Sequence, residues 1–227
     1  MDMIEQIAAI PLFEGLVRQQ HDKLARIVRE RSYKRGETIF FEGDEGTGFY
    51  VLISGKVKIF KLSSEGKEQI LHVLGPGEPF GEASVFAGKR FPAHAETLEE
   101  SRLFFFPRAA FVELIREDPS LALNMLAILS GRLRKFTVLV EDLSLKEVPG
   151  RLAAYLLYAS EERDRTNELK LDIAKNQLAS LLGTIPETLS RILTRMVRQG
   201  LIRLEGPRIV ILDRQGLEEL AQAAGHL

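Results

Sequence analysis

Residues 183–200 read GTIPETLSRILTRMVRQG, and the stretch before them, residues 171–182 (LDIAKNQLASLL), repeats apolar positions at helical spacing up to a glycine. Helix, glycine turn, helix is the helix-turn-helix layout. Thr184 is placed to cap the second helix, with Glu187 reaching back to it in a capping box. Pro186 sits where a missing N–H costs nothing. Ile185, Leu189, Ile192, Leu193, Met196 and Val197 form the expected buried face, which turns Glu187, Ser190, Arg191, Thr194, Arg195 and Arg198 outward.

A helix of this kind fits a DNA major groove. Arg191 has the planar fork that matches a guanine edge, Glu187 can accept from a cytosine amine, and Ser190 serves a base or a phosphate. Thr184, Arg195, Arg198 and Arg208 are the candidate phosphate contacts. The same residues would also suit the wet face of an ordinary amphipathic helix. Two neighbouring signals favour DNA. One is a pair of short β-rich runs, 201–204 and 208–212, split by Glu205, Gly206 and Pro207, which reads as a two-stranded wing. The other lies upstream.

There, a helix predicted over residues 119–143 carries Ala122, Leu126, Leu129, Leu133, Phe136, Val140 and Leu143 at alternating spacings of four and three. That is an a/d seam, and the simplest partner is the same helix of a second subunit related by two-fold symmetry. The expected dimer interface is Leu126, Leu129, Leu133, Phe136, Val140 and Leu143. Leu121, Met125 and Ile128 fall off the seam and are expected to pack on the subunit's own N-terminal part. A dimer presents two reading helices about one DNA turn apart, so the expected target is double-stranded DNA carrying an inverted repeat.

The N-terminal part, from about residue 15 to 106, is punctuated by glycine-bearing turns at Gly36, 43–48, Ser54-Gly55, 64–66 and Pro76-Gly77. Many short strands so spaced predict an antiparallel β-roll. Residues 50–53 and 56–60 read as a hairpin about Ser54-Gly55, with Val57 and Ile59 alternating with lysines on a wet face. Helices are expected at 1–10, 20–29 and 108–117. The fold class is therefore α+β: an effector-sensing β-roll domain over 1–118, a dimerisation helix over 119–145 and a winged helix-turn-helix over 146–227, with a hinge near 146–150.

With 227 residues, 45% of them hydrophobic, the chain can support two cores. Its formal net charge of -1 hides a local imbalance: between Gly183 and Arg208 stand Arg191, Arg195, Arg198, Arg203 and Arg208 against only Glu187 and Glu205. GxGxxG, Walker A, HExxH and GxSxG patterns are absent, so no enzyme is expected. Neither a membrane span nor a signal peptide is legible, and the expected location is the cytoplasm.

Taken with ISGKV (53–57), GPGEPFGE (75–82) and ETLSR (187–191), the chain resembles, over essentially its whole length, the bacterial transcription regulators of the cyclic-AMP receptor protein and fumarate-nitrate reduction regulator (CRP/FNR) superfamily. The resemblance implies an effector roll, a long dimerisation helix and a winged helix-turn-helix, with RNA polymerase as a further partner for an activator. ETLSR resembles the fumarate-nitrate version of the reading helix, with Glu187, Ser190 and Arg191 at its base-reading positions. Pro186 stands where the cyclic-AMP receptor has a second arginine. A palindromic TTGA-like site is the implied target.

The resemblance also implies an effector pocket made by Gly81, Glu82, Phe91, Pro92, His94, Phe136 and Thr137. Gly81 and Glu82 match the ribose pair, but Phe91 and Pro92 stand where an Arg-Ser pair would clamp a phosphate. Losing that bidentate cation argues against cyclic AMP, unless Lys89 or Arg90 substitutes. Phe136 and Thr137 match the base-contacting positions. The absence of cysteine excludes an iron–sulfur cluster, a thiolate haem ligand and a disulfide switch.

Of the histidines, His21 and His226 read as surface residues. His94 and His72 are the candidate haem ligands beside their more ordinary reading as structural residues. The clamp-free, cysteine-free pattern resembles the dissimilatory nitrate respiration and hybrid-cluster-protein regulators, a nitric-oxide-responsive branch linked to haem. A cyclic-nucleotide-responsive regulator and one that needs no effector stay open beside that reading.

Overall fold

The computed structural model describes residues 2–87, 90–161, 166–171, 173–206 and 208–222. Lys89, Pro207 and His226, which the sequence brought into consideration, lie outside the described residues. The chain divides into two compact units, residues 1–133 and 134–227, with the division falling inside one long helix.

The first unit opens with α1 (Met3–Ala8), a 3₁₀ turn at Pro11–Phe13 and α2 (Arg18–Ile27). Strands β1 (Arg29–Tyr33), β2 (Thr38–Phe40), β3 (Gly48–Ser54), β4 (Val57–Leu62), β5 (Glu68–Leu74) and β6 (Pro79–Phe80) follow. Then come α3 (Glu82–Ala87), β7 (His94–Thr97), β8 (Ser101–Pro107), α4 (Arg108–Glu117) and α5 (Ser120–Leu145). The eight strands form two four-stranded antiparallel sheets, ordered β1-β8-β3-β6 and β2-β7-β4-β5. This is the β-roll expected from the turn spacing.

Strand β8 shows how the layers are held. Leu103 and Phe105 enter the core between the sheets with Phe40, Tyr50, Leu52, Phe80 and Phe91. Phe104 and Phe106 enter a second core, with Phe13, Phe49, Phe111, Leu121 and Met125, under the helices. A strand buried on both faces reads as a continuous apolar run, as LFFF does. Leu121 and Met125 thus pack on the subunit's own N-terminal part, joined by Ile128 and also by Leu129, which the seam had claimed. Asp118 starts α5 by accepting the Ser120 N–H at 3.0 Å.

Ser54-Gly55 is not a hairpin. β3 and β4 belong to different sheets, so this turn carries the chain from one layer to the other. Gly55 has φ +96°, and a Cβ there would meet Ser101 Oγ at 2.2 Å. Nor is the lysine side of β4 simply wet: Lys58 is buried, with its ammonium 2.5 Å from Glu68 and 3.1 Å from Glu96.

The second unit continues through α6 (Val148–Glu161), β9 (Glu168–Lys170), α7 (Lys175–Leu181), α8 (Pro186–Arg198), β10 (Ile202–Glu205), β11 (Arg208–Ile211) and α9 (Arg214–Gln222). Leu152, Leu156, Leu178, Leu189, Ile192, Leu193, Met196, Ile209 and Leu217 make its core. The wing has three strands, β10-β11-β9, rather than two. β9 takes residues just before the predicted first helix, and α7 begins only at Lys175.

Candidate functional site

The two candidate helices are set by their glycines. α7 ends in a Schellman motif: Gly183 has φ +67°, its N–H donates to Ser180 O at 3.3 Å, and the Thr184 N–H donates to Ala179 O at 2.9 Å. α8 ends the same way at Gly200, φ +74°, with the Leu201 N–H bonded to Met196 O at 3.0 Å. The α8 start differs from the expected capping box. Its N-cap is Ile185, extended at φ -108° and ψ 155°, with no side-chain cap bond, and Pro186 is the first helical residue. Proline disfavours a helical conformation in the residue before it, which moves the start one place past Thr184. Ile185 is consequently 50% exposed rather than buried, and Val197 is 38% exposed at the face's edge. Leu189, Ile192, Leu193 and Met196 form the buried face.

Glu187, Ser190, Arg191, Thr194, Arg195, Arg198 and Arg208 are all exposed, and Thr184 is half-buried. Arg191 Nη2 donates to Thr188 Oγ1 at 3.0 Å, a neutral partner, and among the described residues no carboxylate pairs with it. Thr194 Oγ1 is turned back onto Ser190 O at 3.0 Å. α8 therefore presents a row of polar readers from its first turns, backed by arginines, on a helix whose opposite face is fully engaged.

A relationship that the sequence reading missed supports this pair of helices. Arg151, on α6, donates through Nη1 to Leu182 O (2.8 Å), through Nε to Lys146 O (2.9 Å) and through Nη2 to Leu143 O (3.2 Å). Carbonyls at a helix C-terminus lack intrahelical donors. One guanidinium supplies them for the end of α5 and for the turn into α8.

In the roll, Gly81 (φ +77°) and Glu82 stand at the start of α3. Glu82 is 4% exposed and ion-paired to Arg132 of α5, whose Nη2 also donates to Pro79 O at 2.6 Å. Glu82 Oε2 is buried without a hydrogen-bond partner. Phe91 is 4% exposed and stacks on Phe40 with ring centroids 3.7 Å apart; a Cβ on Gly81 would lie 3.0 Å from the Phe91 ring. Pro92 is exposed, with its carbonyl accepting from Lys61. Arg90 Nη1 is bonded to Gly43 O at 2.7 Å. Phe136 is half-buried and Thr137 exposed on α5.

His94 Nδ1 accepts the Glu42 N–H at 3.1 Å, its Nε2 lies 3.7 Å from the Glu42 carboxylate, and its ring stacks on Phe60. His72 Nε2 lies 3.3 Å from Glu78 Oε1. His94 is thus held by Glu42 and Phe60, and His72 by Glu78. No cluster of three or more His, Asp or Glu side chains suited to a metal occurs among the described residues. Tyr50 packs among Phe40, Phe80 and Phe105. Burial, reinforced by Tyr33 and opposed by Arg31, pushes its hydroxyl up to about 12. No described helix is long and apolar enough to cross a membrane.

Residues 30–118 match the cyclic nucleotide-binding domain family, and residues 150–220 match the Crp-like helix-turn-helix domain family. The chain is 36% identical over 211 residues to a cyclic AMP receptor protein of Thermus thermophilus, covering 93% of this chain and 96% of that one. It is 32% identical over 225 residues to a CRP-like cAMP-activated global transcriptional regulator of Mycobacterium tuberculosis, covering 97% of this chain and 100% of that one. The structure of FixK2 from Bradyrhizobium japonicum superposes with a TM-score of 0.76 at 28% identity, over 88% of this chain and 100% of that one.

Proposed function

The chain belongs to the CRP/FNR family of DNA-binding transcription regulators, and from that premise we propose that it acts as a homodimer whose two α8 helices read the halves of an inverted DNA repeat under the control of the β-roll. The observation that carries this reading is the exposed set Glu187, Ser190 and Arg191 on a helix whose other face is buried and whose end is closed by a glycine motif. The segment ETLSR supports a TTGA-like half-site, with Arg191 on a guanine edge and Arg195, Arg198 and Arg208 on phosphates. An operator upstream of a promoter would bring RNA polymerase into contact, and the work would be done in the cytoplasm.

The dimer reading rests on α5. Leu126, Leu133 and Val140 recur every seven residues and are 57%, 67% and 63% exposed in the single chain. Exposed leucines in heptad register are costly in water and are satisfied by a second copy of the same helix. Sedimentation of the full chain tests this. The wild type is expected to sediment as a dimer, and L126E and V140E to shift it toward monomer with loss of binding to a palindromic duplex. A monomeric wild type that binds the duplex at full affinity would overturn the proposal.

The Phe40–Phe91 stack favours a particular view of control, in which the roll does not take cyclic AMP. Phe91 supplies neither charge nor hydrogen bond where a phosphate would need both, and Arg90 is engaged with Gly43. Of the two residues proposed for haem, His94 is the poorer axial ligand, because its Nδ1 accepts a backbone N–H and its Nε2 faces Glu42. His72 has Glu78 at Nε2, the arrangement in which a carboxylate orients the ring and Nδ1 would be the ligating nitrogen. The resemblance to the nitric-oxide-responsive branch rests on the cysteine-free, clamp-free pattern. Equilibrium dialysis against cyclic AMP is expected to show no saturable binding to the wild type.

A further inference from the structure

β1 is the edge strand of the first sheet, and its register with β8 places Arg29 opposite Phe105, Arg31 opposite Leu103 and Tyr33 opposite Ser101. Directly opposed residues of an antiparallel pair share a face, and Leu103 and Phe105 line the space between the two sheets. An exposed arginine thus stands on the inner side of the roll's rim. Its guanidinium carbon lies 4.5 Å from the Phe105 ring centroid and 5.8 Å from that of Tyr50, and Nη1 donates to the Tyr50 hydroxyl at 3.4 Å.

Among the described residues, Arg31 has no carboxylate partner. Arginine–carboxylate pairs among the described residues join Arg102 to Glu30, Arg116 to Glu113, Arg132 to Glu82 and Arg203 to Glu205; none involves Arg31. The nearest acid in sequence, Glu30, is on the opposite face of the strand because side chains alternate, and there it is taken by Arg102. The guanidinium lies over the Phe105 ring, and Arg31 is exposed, so the planar fork is supported on one side and open to solvent. Beside it are two hydroxyls: that of Tyr50, which accepts from Arg31 Nη1, and that of half-buried Tyr33, two residues along the same face of β1.

We propose that Arg31, with Tyr33 and Tyr50, is a binding site for the oxyanion group, carboxylate or phosphate, of a small molecule entering at the β1 edge of the roll. A forked, weakly hydrated cation flanked by hydroxyl donors is the set that binds such a group bidentately. The site is distinct from the Gly81–Glu82 region but shares a wall with it. The Tyr50 ring stacks on Phe80, 5.3 Å between centroids, and lies 5.9 Å from Phe40, which carries Phe91. Binding is read on the roll itself, so failure here leaves the DNA-reading assignment standing.

The chain has four tyrosines and no tryptophan, so tyrosine emission reports on the site. Full-length protein is titrated with sodium benzoate and, separately, with inorganic phosphate, at an ionic strength held constant with chloride. A saturable change is expected with at least one anion; benzoate alone assigns a carboxylate ligand and phosphate alone a phosphate. R31Q should weaken that binding by about tenfold or more, because it removes both the charge and the fork, and Y33F should weaken it by less. R102Q, on the other face of the sheet, should leave it unchanged. No saturable response to either anion, or equal binding by wild type, R31Q and Y33F, would overturn the proposal.

Discussion

The Nη1 of Arg151 donates to the carbonyl oxygen of Leu182 across 2.8 Å, tying α6 to the turn that aims α8. Because the same guanidinium also serves Leu143 and Lys146, a displacement of the end of α5 reaches the reading helix through one planar group. Arg151→Ala should cost the second unit about 2–3 kcal/mol, the range for hydrogen bonds to a charged donor whose loss leaves acceptors unmatched. Arg151→Lys should recover less than half of that, since an ammonium cannot reproduce the fork. Urea unfolding measures both, and an unchanged midpoint for Arg151→Ala would refute the role.

Gly183 occupies a left-handed position at the end of α7. Gly183→Ala should destabilise the second unit by about 1 kcal/mol. It should also lower affinity for specific DNA beyond that loss of fold, because the angle between α7 and α8 depends on the Schellman bonds. The comparison is between melting temperature and DNA-binding anisotropy on the same preparation.

Glu82 and Arg132 bury opposite charges together in the first unit. Removing the cation leaves an uncompensated carboxylate, so Arg132→Ala should cost about 3–5 kcal/mol. The double variant Glu82→Gln with Arg132→Ala should be more stable than Arg132→Ala alone. Thermal unfolding that ranked the double variant lower would show that the pair is not what holds this region.

Tyr50 carries a pH dependence whose sign follows from burial. Its folded-state hydroxyl is raised to about 12 from an ordinary 10.0, so the folded chain holds this proton more tightly than the unfolded chain does. The contribution to stability is complete below pH 10 and is lost as pH rises through about 12. Alkaline absorbance titration should reveal one tyrosine ionising late, absent in Tyr50→Phe. In that variant, stability should fall less steeply over the same window.

What the sequence made legible was what repeats or breaks locally. Gly183 marked the turn between α7 and α8, the glycine-bearing turns marked the roll's short strands, and the seam on α5 stood out by its heptads. What it hid depends on distant partners. Ser54-Gly55 looks like a hairpin turn because its flanks both read as strands, and only the pairing of β3 with β8 and of β4 with β5 shows that they part into separate sheets. Thr184 and Glu187 have the spacing of a capping box, but the restriction imposed by Pro186 on Ile185 shifted the register by one. Arg151 gave no signal at all, because its three acceptors are backbone carbonyls, which every residue has. Arg31 was equally silent, since its meaning comes from facing Phe105 and Tyr50 across a sheet.

The most direct test of the account is the affinity of wild type and Arg191→Ala for a TTGA-type inverted repeat and for a scrambled duplex of equal length, measured by fluorescence anisotropy at one fixed salt concentration. If α8 reads bases through Arg191, the variant should lose about 1–3 kcal/mol per half-site on the repeat while binding the scrambled duplex almost as the wild type does. Equal losses on both duplexes, or a wild type that does not distinguish them, would contradict it.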